Sequence, residues 1–119
     1  MLPTKDVVAA VRAVQVSGTG ASGSAFFSVD LPVFSGHFPG QPLVPGVYLL
    51  AAVAEVARQA GVAQGHVTGI ERAKWSAPAY PEQDLRITLT TRAQENGWRI
   101  DGEISGPNGL CATCRLVMG

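Results

Sequence analysis

The stretch "FSGHFPGQPLVPGVYLLAAVAEVARQAG", residues 34–61, decides how the chain folds. Residues 47–60 read as one long helix. Apolar residues occupy every side of its first two turns, and Gly61 follows in the place where a left-handed residue closes a helix. A helix that is apolar all round is buried all round, so the remaining elements must enclose it. About fourteen residues give roughly 21 Å of helix, enough to cross a small domain. The segment ahead of the helix is stiffened by Pro39, Pro42 and Pro45, while Gly36, Gly40 and Gly46 permit turns and close approach. His37 lies in that loop without an acidic neighbour, and the first carboxylate after it is Glu55, eighteen residues on. Gly46 stands at the helix start, where backbone N–H groups lack intrahelical partners and the positive end of the dipole points outward. His37 is thus a candidate base and the Gly46 N–H a candidate donor to an oxyanion. A histidine in such a loop is usually structural.

On the N-terminal side, residues 4–14 read as a short amphipathic helix with Thr4 as its N-cap, followed by a strand near 13–17. "SGTGASGS" then forms a turn, and "AFFSVDL" alternates as a strand with Ala25, Phe27, Val29 and Leu31 on one face. Gly18, Gly20 and Gly23 spell G-x-G-x-x-G, but that fingerprint needs a helix directly after it, so a hairpin is expected instead. On the C-terminal side the period becomes two. "HVTGIERAKWS", "DLRITLTTRA", "WRIDGEI" and "GLCATCRLVM" read as strands, the last three joined by short turns into an antiparallel meander. The expected class is α+β, an antiparallel sheet wrapped around the central helix. Cys111 and Cys114 form a C-x-x-C, but three-residue spacing on a strand puts the thiols on opposite faces. No second cysteine pair accompanies them, so neither a redox pair nor a metal site is expected.

At 119 residues one domain, 1–119, is expected. Nine basic residues balance nine acidic ones, which argues against nucleic acid or an anionic membrane as partner. Only 15% of the residues are charged, and so apolar a small chain is expected to bury surface against another subunit. The N-terminus lacks a signal-peptide pattern and the longest apolar run is too short to span a bilayer, so a cytoplasmic location is expected.

"FSGHFPGQPLVPGV" resembles the signature of the FabZ/FabA-type 3-hydroxyacyl-[acyl-carrier-protein] dehydratases, a family with the hotdog fold. Their pattern, roughly G-H-F-P-x-x-P-x-x-P-G-V, is matched by Gly36, His37, Phe38, Pro39, Pro42, Pro45, Gly46 and Val47. "ERAKWSAPAYPEQDLRITLTTR" is similar to the strand, proline-containing bend and strand that follow the family's helix. The resemblance implies that His37 removes the α-proton of a 3-hydroxyacyl thioester and that the Gly46 N–H binds the thioester carbonyl. It also implies that Phe38 and Val47 line the acyl tunnel, with Pro45 among the substrate-binding residues. No cofactor is implied beyond the phosphopantetheine of an acyl carrier protein that carries the substrate.

The family's second catalytic residue is a Glu or Asp five positions after that glycine, which here is Ala51. The resemblance further implies a dimer whose sites combine the histidine of one subunit with the helix acid of the other. A heterodimer with an acid-bearing hotdog subunit would restore one complete site, as in bacterial polyene-type pathways. Two alternatives stand beside this. Glu55, one turn beyond Ala51, could serve as substitute acid in a self-sufficient dehydratase. Alternatively, the chain could be a hotdog thioesterase or a non-catalytic acyl-binding partner subunit.

Overall fold

The computed structural model describes residues 5–36, 38 and 40–119. A six-residue helix, α1 (Lys5–Ala10), leads into the hairpin β1 (Val11–Ser17) and β2 (Gly20–Ala25). A single turn, α2 (Val33–Gly36), precedes the long helix α3 (Gly46–Ala60). Four strands follow: β3 (Val67–Trp75), β4 (Leu85–Gln94), β5 (Gly97–Gly106) and β6 (Gly109–Met118). They form one antiparallel sheet in the order β1-β2-β4-β5-β6-β3.

The sheet holds α3 against one face because the strands alternate. Leu85, Ile87 and Leu89 of β4, Ile100 and Ile104 of β5, and Ala112, Cys114, Leu116 and Met118 of β6 are all buried. Arg86, Thr88 and Thr90 of β4 are exposed on the other face. Facing the apolar side, every residue of α3 from Leu49 to Ala57 is buried. Helix and sheet approach closely at Gly102, where an added Cβ would stand 2.6 Å from a Val53 methyl. Gly61 closes α3 in the left-handed region at φ 75°, its N–H donating to the Ala57 and Arg58 carbonyls. The long helix, the meander β4-β5-β6 and the α+β class agree with the sequence reading. Among the described residues no helix is long and apolar enough to cross a membrane.

The N-terminal third differs from expectation. The helix ends at Ala10 instead of residue 14, because Val11 and Arg12 pair with Ala25 and Ser24 of β2. The expected cap, Thr4, lies outside the described residues. The glycine-rich segment is largely strand, and the turn shrinks to Gly18 and Thr19. Small residues are needed in β2 for a packing reason. A Cβ at Gly20 would fall 2.4 Å from the Leu89 carbonyl oxygen, and one at Gly23 would fall 3.1 Å from Val56 of α3. "AFFSVDL" leaves the sheet after Ala25. Phe27, fully buried, turns inward and meets Tyr48 of α3 edge to face, with ring centroids 5.8 Å apart.

The cysteines also differ: both are buried and free. Ile104 pairs with Ala112 and Ser105 with Leu110, so Cys111 is the extra residue of a bulge, and its side chain is not where strict alternation would put it. Cys111 Sγ packs 3.5 Å from the place a Gly106 Cβ would take, and Cys114 Sγ 3.4 Å from that of Gly102. Those glycines are four residues apart on β5, about 13 Å, which keeps the thiols from bonding to each other.

At the far edge of the sheet, β3 pairs among the described residues with β6 alone, and its register shifts twice, between Val67 and Gly69 and between Ile70 and Arg72. All residues from Ile70 to Trp75 are exposed. On the outer face, Asp101 accepts a hydrogen bond from Arg115 Nε at 2.8 Å and lies 3.2 Å from Arg99 Nε.

Two consequences can be measured. Partial burial works to raise the Asp101 pKa, but the Arg115 hydrogen bond and the Arg115, Arg99 and Arg72 charges outweigh it and hold the carboxyl below its usual value. A depressed folded-state pKa stabilises the protein above the unfolded value of about 4, and that stability is lost as pH falls through the folded value. Asp101→Asn should therefore cost roughly 0.5–1 kcal/mol at neutral pH, since the pair is partly exposed, and nearly nothing near pH 2. Urea unfolding at both pH values checks this. Burial also pushes the Cys114 thiol up to about 11. A thiol reagent at neutral pH should label neither cysteine until the protein unfolds, and mass spectrometry should find no intramolecular disulfide.

Candidate active site

The loop ahead of α3 is held at both ends by buried side chains, Phe34 of α2 and Val44. Between them, Phe38 and Gln41 exchange backbone hydrogen bonds of 3.2 and 2.9 Å, and Gly40 takes φ 77°. Phe38 is half exposed. His37 and Pro39 lie outside the described residues. The Val44 N–H donates to the Ala79 carbonyl at 2.8 Å, which ties this loop to the proline-rich segment after β3. That segment is fixed in turn by the Ser76 and Ala77 amides, which donate to the Cys111 carbonyl at 2.8 and 3.2 Å.

An apolar groove of about 580 Å³ runs between these two anchored pieces, lined by Val44, Gly46, Val47, Leu49, Trp75 and residues 76–79. Gly46 opens α3 at one side of it, after Pro45 in the extended conformation. The Pro45 carbonyl accepts from the Tyr48 and Leu49 amides, while those of Gly46 and Val47 find no backbone acceptor among the described residues. Two donors and a helix dipole thus meet an apolar groove, where a developing negative charge on a ligand oxygen would be stabilised. Val47 is 47% exposed beside them.

Trp75 was not singled out by sequence reasoning. An added Cβ on Gly46 would stand 2.7–3.2 Å from Cη2, Cζ2 and Cζ3 of its indole, so the ring rests where only a glycine leaves room. The signal available was a large aromatic at the end of a strand, directly before the "SAP" bend.

Ala51 and Glu55 are buried further along α3, 6% and 4% exposed. The Glu55 carboxylate is engaged on both oxygens. It pairs with Arg58 and accepts from Gln59 Nε2 at 2.8 Å, and Arg58 donates in turn to the Gly65 carbonyl at 3.0 Å. Nine residues of helix set Glu55 about 13 Å from Gly46 along the axis. The structure thus brings Gly46 and Val47 together at the groove, leaves Pro45 out of its lining, and puts Glu55 in a separate polar cluster. Among the described residues no three His, Cys, Asp or Glu side chains converge as metal ligands.

This sheet wrapped on a buried helix is a hotdog domain, and the comparison with solved structures agrees. The chain superposes on a subunit of the dehydratase heterocomplex ApeI:P from Xenorhabdus doucetiae with a TM-score of 0.71, at 21% identity over 88% of this chain and 92% of the other. The ApeI-like model, described as ApeI dehydratase, matches residues 13–108, and the chain belongs to that family. It is also 35% identical over 86 residues to the 3-hydroxyacyl-[acyl-carrier-protein] dehydratase FabZ of Geotalea uraniireducens, covering 64% of this chain and 59% of the relative. With FabZ of Cupriavidus metallidurans the identity is 30% over 77% of this chain and 72% of the relative. The chain spans about half the length of most of the first curated relatives it matches.

The polar cluster on α3 makes a prediction of its own. Arg58→Ala leaves a buried carboxylate without its cation and should cost about 3 kcal/mol. Glu55→Gln keeps hydrogen-bonding capacity and should cost nearer 1 kcal/mol. Chemical denaturation of both variants would give the ranking.

Proposed function

We propose that the protein is a subunit of a 3-hydroxyacyl-[acyl-carrier-protein] dehydratase that pairs with a second hotdog chain carrying the missing acid. The observation that carries this reading is Gly46, the first residue of a buried helix, with its N–H at an apolar groove and directly after the histidine-bearing loop. In the proposed reaction the 3-hydroxyacyl thioester oxygen accepts hydrogen bonds from the α3 N-terminus, including Gly46 N–H. His37 takes the α-proton, the electron pair moves into the new Cα–Cβ double bond, and the β-hydroxyl departs as water after protonation by an acid. The negative charge that collects on the thioester oxygen meanwhile faces the helix dipole. Proton transfer alone balances the reaction, so no cofactor is called for. The substrate arrives on the phosphopantetheine of an acyl carrier protein, in fatty-acid or polyketide-type biosynthesis.

The acid is assigned to a partner for two reasons. Ala51 occupies the position expected to hold it, and Glu55 is already paired with Arg58 and Gln59, one turn further from Gly46. The exposed edge strand β3, with Ile70 and Trp75 uncovered, offers a surface for a second subunit. The Xenorhabdus relative in fold is described as a heterocomplex, which supports the same reading.

The test follows water loss from a carrier-bound 3-hydroxyacyl chain. The purified protein alone should turn over slowly, by about 10²–10⁴-fold relative to a site with a placed acid. Ala51→Glu, or Ala51→Asp if the longer side chain unfolds the helix, should restore much of that factor. His37→Ala in the same background should abolish the gain, whereas Glu55→Gln should leave it nearly unchanged. Full activity of the unmodified protein alone, abolished by Glu55→Gln, would make Glu55 the acid and remove the need for a partner.

A further inference from the structure

We propose that Glu82 is a positioning residue, which latches the chain between β2 and α3, and with it the loop whose sequence includes His37, onto the segment after β3. The inference rests on the dehydratase reading for what His37 does, but the latch itself is read from the structure. Residues 26–45 run from β2 to α3 without joining the sheet. Their ends are tied by the Phe26 N–H, which donates to the Ala10 carbonyl at 3.1 Å, and by the Val44 N–H, which donates to the Ala79 carbonyl at 2.8 Å. Between those ends Glu82 takes hold twice. Its own N–H donates to the Phe27 carbonyl at 2.8 Å, and its Oε2 accepts from the Val29 N–H at 2.9 Å. These are the groups that a residue of a parallel strand would bond, with a carboxylate oxygen where the strand would offer its own carbonyl.

Glutamate is an unfavourable residue at this place. Glu82 lies outside any helix or strand at φ 62°, in the left-handed region that favours glycine. Strain of that kind persists where the surrounding structure over-determines it, and it clusters at functional sites. Ala13, the other non-glycine residue at positive φ among those described, sits in the irregular step of β1 between Arg12 and Gln15. No such step accounts for Glu82. A glycine would relieve the strain and keep the bond to Phe27, but it would lose the bond to Val29. What the strained glutamate adds is the hold on Val29. From there to α2 the chain is a relay of short turns, with the Leu31 N–H donating to the Ser28 carbonyl at 3.1 Å and the Phe34 N–H to the Leu31 carbonyl at 3.0 Å. Such a relay carries the position of its base to Gly36, directly ahead of His37. Val29 and Glu82 also line a cleft of about 640 Å³ together with Gln41, Pro42 and Leu43. That space is open, so packed side chains do not fix the returning limb of the loop there. Gln41 is joined by its backbone to Phe38, the residue after His37. Release of Val29 would thus loosen both limbs that flank His37, and a reacting group displaced by about 1 Å can lose about a hundredfold in rate.

The experiment reads the latch and the chemistry separately. Amide hydrogen exchange is followed by NMR on the full chain, on Glu82→Gly and on Glu82→Gln. Glycine removes the carboxylate and the strain together, so the unfolding midpoint of Glu82→Gly should change little while the latch is lost. In that variant the Val29, Phe38 and Gln41 amides should exchange about tenfold faster, with Ile87 and Ile100 of the sheet unchanged. Glutamine keeps a side-chain oxygen at the same reach and should restore slow exchange at all three. Dehydration of a carrier-bound 3-hydroxyacyl chain is then followed in the Ala51→Glu background. There Glu82→Gly should lower kcat by about tenfold or more with a smaller change in KM, and Glu82→Gln should recover most of the loss. Exchange that quickens at Val29 alone, or nowhere, overturns the inference. Exchange that quickens at Ile87 and Ile100 as well also overturns it, and makes Glu82 a residue of global stability. A kcat unchanged by Glu82→Gly overturns the catalytic half, because the latch then positions nothing that reacts. If the Ala51→Glu protein itself does not dehydrate, the dehydratase reading fails, while the exchange rates still decide whether Glu82 holds the loop.

Discussion

The fit of α3 onto the sheet is the constraint on which the rest depends. Val53 and Val56 press against strands at Gly102 and Gly23, where even a methyl group would collide or crowd. With nine successive residues buried and its amides and carbonyls paired within the helix, the middle of α3 offers no free backbone group to a ligand. Only its ends are open. The C-terminal end is closed by Gly61 and the Glu55–Arg58–Gln59 cluster, which leaves the N-terminal end as the place where backbone dipoles can meet a ligand. The position of the groove thus follows from how the core is packed.

The same constraint explains what could be read from the sequence. An all-apolar helix and three alternating strands carry their patterns locally, so α3 and the meander from Leu85 to Met118 were legible. β2 was not, because its small residues are chosen for contact with Leu89 and Val56, and glycine has no side-chain pattern to display. α1 was overextended because Val11 and Arg12 suit a helix locally, while pairing with β2 decides otherwise. At Cys111 a bulge, invisible in residue alternation, moved a side chain from where strict alternation would put it.

The candidate site divides in a similar way. The place of Gly46 at the start of α3 was legible because a proline and a glycine stand directly before the all-apolar run. Trp75 was not, since its contact with Gly46 exists only once β3 has paired with β6 and α3 has docked. The engagement of Glu55 could be suspected from Arg58 and Gln59 three and four residues later, a spacing that brings helix side chains together. What the sequence could not display is that Arg58 also reaches the Gly65 carbonyl, which locks the cluster to the loop after the helix.

The two register shifts in β3 have a consequence for recognition. A flat, regular edge would template pairing with almost any extended chain, including misfolded copies of its own. An edge kinked twice within a few residues and carrying Arg72 and Lys74 presents its backbone donors and acceptors in an uneven rhythm. A strand joining it must repeat that rhythm and bring no positive charge opposite those two residues. The edge works like a cut key, open to few neighbours and unpaired among the described residues.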